Sequence, residues 1–265
     1  MSEMTLNLAG KINTFRRFIP LMKELVARDI KVRYRRSVLG VLWTVLNPIL
    51  MMIVMTIVFS TLFRFDIENY PIYFFCGNLL FSFMTNATTD SLHSILGGSS
   101  LIKKVYIPKY IFPISKTLSA GVNLFFSYIA MLLVMIATGV EFHATMLLTP
   151  LVALYVMLFS IGLGLILAAM MVFFRDIAHL YTVFTAAWMY LTPIFYPDSL
   201  LGERSPWFLL LNPMYHFIDY MRDITLYQTV PGLMENLICL GIGLVTLAIG
   251  LVFFYKKQDK FILHI

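Results

Sequence analysis

The chain carries little charge. Of its 265 residues only 13% are Asp, Glu, Lys or Arg, against about 25% in an ordinary soluble domain. Hydrophobic residues make up 60%, and the mean hydropathy is +0.83. A water-soluble fold cannot hide that much apolar surface, so a bilayer is the expected solvent. Cysteine is scarce as well. Cys76 and Cys239 both lie in apolar segments, and their spacing offers neither a disulfide framework nor a metal site. There is no G-x-x-x-x-G-K-[ST] phosphate loop, so the chain does not hold ATP in the P-loop manner. H-E-x-x-H and G-x-S-x-G are absent too. Residues 1–40 are rich in charge and lack an apolar core followed by a cleavage site, which argues against a signal peptide. No internal repeat is visible. Ionisable residues are also missing from the depths of the apolar segments, where Asp90, Lys116 and Glu235 fall near expected ends. An ion-coupled carrier lines its path with such groups, so their absence favours a transporter powered by a partner, or a scaffold.

What is present is a series of apolar runs. Each membrane span needs about 20 such residues. The pattern predicts an all-α membrane protein with six spans, at about 38–63, 72–88, 114–140, 146–174, 180–195 and 233–255. Before them, residues 1–37 hold a basic amphipathic helix. Phe15, Phe18, Ile19, Met22, Val26 and Ile30 recur at helical spacing, and cations fill the other face. Such a helix lies in the membrane interface. The stretch 203–231 is chopped by Pro206, Pro213 and Pro231. Its apolar pieces are too short to span and are expected to be re-entrant or interfacial. Residues 257–265 form a basic tail.

The net charge of +6 reads as a topology signal rather than a nucleic-acid signal. Nine Lys/Arg precede the first span, four lie between the second and third, Arg175 ends the fourth, and three follow the sixth. Only Arg64, Arg204 and Arg222 fall on the other side. By the positive-inside rule, both ends of a six-span chain are then cytoplasmic.

Two features stand out on this frame. The loop at 99–113 contains LIKKVYIPKYIFP, and its prolines and large apolar residues exceed what a plain turn needs. A short helix docking into a soluble partner is the reading preferred, with a charged turn as the alternative. Aromatics make up 15% of the chain. Trp43, Phe59, Phe63, Tyr73, Phe184, Trp188, Phe195 and Tyr196 either join an interfacial belt or line a pore that packs sugar rings. The acids Asp198, Asp219 and Asp223 leave open a membrane enzyme of envelope biosynthesis. Small residues (Gly162, Gly164, Ala168, Ala169; Gly241, Gly243, Gly250) permit close helix approach in the fourth and sixth spans.

The run RDIKVRYRRSVLGVLWTVLNP, from Arg28 to Pro48, resembles the start of the first span in type-two ABC exporter permeases. It is most similar to their polysaccharide branch, which exports O-antigen, capsule and teichoic acid. FFRD (173–176), TPIFYP (192–197) and LNPMYHFIDYMRD (211–223) agree with it, in order along nearly the whole chain. The resemblance implies a homodimer in the bacterial inner membrane, bound to two copies of a separate ATPase that carries ATP and Mg, with no cofactor on this chain. It implies an interface helix at Arg28, Asp29, Arg33, Tyr34 and Arg36, and a coupling segment at Lys103, Lys104, Tyr106, Pro108, Lys109 and Tyr110. It further implies a channel for a lipid-linked glycan, lined largely by the first and fifth spans. A permease for a drug or simple lipid is the nearest alternative.

Overall fold

The computed structural model describes residues 16–35, 39–62, 67, 69–202 and 206–264, with the side chains of Tyr34, Ser60, Thr61, Leu62, Leu201, Gly202 and Pro206 excepted. Arg36 and Phe63 lie outside the described residues. Among those described, the regular structure is entirely helical. Helix α1 is Ile19–Tyr34, with Pro20 in its first turn, where no amide is needed. A single 3₁₀ turn, Gly40–Leu42, leads into α2, Trp43–Thr56, which runs on through the π-helical Ile57–Leu62. Pro48 sits inside α2.

Helix α3, Tyr70–Gly97, extends nine residues beyond Thr88, carrying Asp90 and His93 inside a helix rather than at its end. Its hydroxyls explain how. Thr88 donates to the Met84 carbonyl at 2.7 Å and Ser94 to that of Ser91 at 2.6 Å, while Ser91 reaches Pro113 O at 3.0 Å. A buried hydroxyl satisfied in this way is tolerated in an apolar surround. After the four-residue α4 (Ser99–Ile102) comes α5, Ile111–Thr138, closed by Gly139 at φ +73°, a left-handed position suited to glycine. Helix α6 is Thr149–Phe173 and α7 is Ile177–Leu191. Pro193 stops α7 at 15 residues, about 22 Å at 1.5 Å per residue. Short helices α8 (Ser199–Gly202), α9 (Pro206–Leu211) and α10 (Pro213–Thr225) precede α11, Leu233–Lys257, and a 3₁₀ segment, Gln258–Leu263.

Among the described residues, four helical stretches are long and apolar enough to cross a membrane: Gly40–Phe59, Ile111–Thr138, Ala144–Phe173 and Leu233–Leu263. Helix α3 has the length but a more polar composition, and it is the most enclosed, with Phe74, Phe75, Leu80 and Met84 fully buried. It packs on α5 and α6. The closest pairing is α6 with α11. A Cβ on Gly162 would fall 2.4 Å from the Thr246 backbone, and one on Gly250 2.3 Å from Gly162 O. The two backbones touch at these positions, so the small residues serve packing inside this chain. Gly241, by contrast, faces open space. One large core fills the middle of the bundle, and a second lies at its basic end.

Candidate functional site

At the basic end, α1 lies against the bundle rather than free of it. Met22 and Leu25 enter the second core. Two ion pairs hold the polar face: Asp29 to Lys116 on α5 and Arg33 to Asp90 on α3, both at 2.8 Å. Arg28 stays exposed beside Asp29. Tyr34 belongs to α1, but its side chain is outside the description.

The loop after α4 presents a distinct surface. Lys103, Lys104 and Val105 are exposed, and Tyr106 is 94% exposed. Ile102 and Ile107 on either side are buried and anchor it. Pro108, Lys109 and Tyr110 turn back into the protein and are half-buried. The anchoring partner is the segment after α11. Lys109 Nζ donates to Gln258 O at 2.6 Å and lies 5.7 Å from the centre of the Phe261 ring. Burial there holds the Lys109 ammonium below the usual lysine range, with Asp259 opposing that shift. Phe261 itself is fully buried, edge-on to Phe254 at 5.2 Å and to Phe173 at 5.9 Å. One side chain thus joins α6, α11 and the Lys103–Tyr110 loop. The basic stretch from Lys256 does not signal this contact in the sequence.

The opposite end is an aromatic knot. Phe195 is 2% exposed and packs on Phe59 at 5.4 Å and Phe74 at 5.7 Å. Tyr70 and Tyr73 donate to the carbonyls of Phe195 and Tyr196 at 3.0 and 2.9 Å, and Tyr196 donates to Tyr190 O at 2.7 Å. Tyr73 and Phe195 therefore face the interior of this chain, while Phe184 is exposed and Trp188 half-buried. The 192–197 and 211–223 motifs dock on each other here. Asn212 caps α10 through Met214 N, accepts from Trp188 Nε1 at 2.9 Å and donates to Thr192 Oγ1 at 2.9 Å. Arg222 is 2% exposed. It donates to Pro193 O at 2.6 Å, and its guanidinium carbon lies 3.5 Å from the centre of the Tyr73 ring. No ion pair holds it among the described residues. Asp219, on the same helix, is pushed up to about 6, chiefly by burial and then by Asp223, with Arg222 pulling the other way. In the sequence Arg222 stands as an outer cation within the 211–223 motif, and its partner Tyr73 is far away in the chain.

Trp43 stands apart from the knot. It lines a cleft of about 650 Å³ between α2, α3 and α5.

A bundle of long apolar helices, one basic end bearing an exposed loop, and a proline-broken opposite end define a multi-pass membrane protein. The chain belongs to the ABC-2 type transporter family, whose model matches residues 20–226. It is similar to the O-antigen export system permease protein RfbA of Myxococcus xanthus, at 30% identity over 243 residues, covering 91% of this chain and 94% of that one. RfbA of Klebsiella pneumoniae is 26% identical over 91% of this chain and 93% of its own. The polysialic acid transport protein KpsM of Escherichia coli is 20% identical over 90% and 93%.

Proposed function

We propose that the chain is the permease of an ATP-driven exporter that moves a lipid-linked envelope polysaccharide from the cytoplasm across the bacterial inner membrane. The observation that carries this is similarity along nearly the whole chain to O-antigen export permeases and to a polysialic acid transport protein. Teichoic acid-like glycans belong to the same chemical class.

The physics demands such a machine. A polymer crossing about 30 Å of hydrocarbon strips water from many hydroxyls, and each unsatisfied polar group costs several kcal/mol. A lined conduit and an external energy source are both needed. Two copies of this chain enclose the conduit, and two copies of a separate ATPase bind beneath it. Helices α2, α3, α5, α6, α7 and α11 are the six spans, with α8 to α10 re-entrant on the outer side. The basic end is cytoplasmic, which puts 17 of the 20 Lys/Arg inside. The channel and outer gate draw on Trp43, Phe59, Phe184, Trp188 and Tyr196, while the buried Tyr73 and Phe195 hold that gate together from inside this chain. The interface helix places Arg28, Asp29, Arg33 and Tyr34 at the headgroups.

Coupling runs through the loop. Lys103, Lys104 and Tyr106 enter the ATPase, while Pro108, Lys109 and Tyr110 carry its displacement into the second core. Phe261 then passes that motion to α6 and α11. The double substitution Lys103→Glu, Lys104→Glu tests this. Loss of ATPase co-purification and of surface glycan is expected; intact complex and export refute the coupling assignment.

A further inference from the structure

The cleft beside Trp43 has a polar lining that a lipid-facing surface does not need. Asn78, Ser82 and Asn86 follow at four-residue spacing on α3 and line it, and Asp90 continues their row. Twelve residues climb about 18 Å along the helix, more than half of a hydrocarbon layer about 30 Å thick. Thr44 and Asn47 on α2 and Asn123 and Ser127 on α5 add to the polar lining. Arg33 lines the same cleft at the basic end, paired with Asp90.

The polar groups are only partly used. Ser82 Oγ donates to Asn78 Oδ1 at 3.2 Å, which leaves the Asn78 amide N–H groups to point elsewhere. Asn47 and Asn86 are exposed, and among the described residues neither side chain has a hydrogen-bond partner. Bare amides set against acyl chains are strongly unfavourable, so this cleft is not built for lipid tails. Among the described residues that line it, Arg33 is the one charge, and it is paired with Asp90, so the lining is suited to a neutral polar ligand rather than an ion. Trp43, which is exposed, supplies an accessible apolar ring beside the amides, over a floor that includes the buried Phe75 and Phe83. Amides that donate and accept, set beside an aromatic ring, match a sugar ring with hydroxyls on its edge and C–H groups on its faces.

We propose that this cleft binds the hydroxyl-rich pyranose units of the transported glycan, which enter at the Arg33 end. The assignment rests on the polysaccharide reading above. It names a groove within one chain, walled by α3 and α5 as well as by α2.

The test is photocrosslinking in cells that hold the complete transporter. Asn86→p-benzoylphenylalanine is irradiated, and the chain is purified under denaturing conditions and stained for periodate-oxidised sugar. The probe is the cell's own envelope glycolipid. A sugar-bearing adduct well above that from the same probe at Val245, exposed on α11, is expected. Staining equal to the Val245 control overturns the proposal. So does a protein–protein adduct of twice the mass, which makes the cleft a seam between copies. Asn47→Leu with Asn86→Leu covers the case in which the bulky probe blocks entry. Removing these two contacts lowers surface glycan about tenfold, with the ATPase still co-purifying; full export overturns the proposal. A strain lacking the chain separates the two levels. If it exports normally, the polysaccharide reading fails; if it does not, while the Leu pair exports fully, only the cleft assignment fails.

Discussion

Arg222 gives the sharpest stability prediction, because its contacts can be enumerated. Replacing it with Met keeps most of the volume and removes the charge. The change loses a charge-assisted hydrogen bond to Pro193 O, worth about 1.5–3 kcal/mol, and a desolvated cation–π contact with Tyr73, worth about 2 kcal/mol. It also leaves the Pro193 carbonyl without this donor. Against this, a buried guanidinium whose Nε has no partner no longer has to be desolvated. Taking the relief as about 1 kcal/mol, at the low end for one unsatisfied group, the net loss is about 2.5–4 kcal/mol. For a chain of this size each kcal/mol shifts Tm by about 2–4 °C, so the drop is roughly 5–16 °C. The assay is thermal unfolding of the purified chain in mild detergent, read by size-exclusion recovery. Arg222→Ala adds a cavity and must fall further. If both variants stay within about 2 °C of the parent, below the shift of even 1 kcal/mol, Arg222 is not the tie between α10 and the turn after α7.

Phe261→Ala should cost about 3–5 kcal/mol, the usual price of a fully buried Phe, while Phe261→Leu restores most of it; the same thermal assay checks both. Gly162→Leu forces α6 and α11 apart and should lower stability by at least about 1–3 kcal/mol, whereas Gly241→Leu, which meets open space, should be near neutral. Asp219 gives a pH signature. Its folded value of about 6 lies above the ordinary 3.8, so the folded state holds the proton more tightly, and stability declines as pH rises from about 4 to 6. Tm measured across pH 4–8 should show that decline in the parent and a smaller one in Asp219→Asn, with the variant the more stable at pH 7.5; parallel curves refute the assignment.

Long apolar runs made the helices of the bundle easy to see, because periodicity and length are local properties. Side-chain partnership was harder, since it depends on distance in space. Asp90 looked like the end of a span because its partner, Arg33, is 57 residues away. The hydroxyls of Thr88, Ser91 and Ser94 looked like a polar boundary, yet they bond to nearby carbonyls and let α3 continue. Arg222 counted as an outer-side cation, and only the fold of α10 sets it over Tyr73. Phe261 sat in what looked like a charged tail, and only the packing of α6 against α11 makes room for it. The 192–197 and 211–223 stretches were legible as motifs, but their docking through Asn212 and Thr192 was not. Among the aromatics proposed for the channel, burial now separates Tyr73 and Phe195, which hold this chain together, from Trp43 and Phe184, which remain exposed.

The central claim is that this chain conducts a glycan when its ATPase turns over. Proteoliposomes containing the chain and its partner ATPase, supplied on the ATPase side with the host's lipid-linked glycan, test it directly. After ATP is added, an increasing share of the glycan should become protected from a glycosidase in the bath. Protection should be absent with a non-hydrolysable ATP analogue or when the chain is omitted. Protection that is independent of ATP, or none at all in vesicles with an active ATPase, contradicts the account.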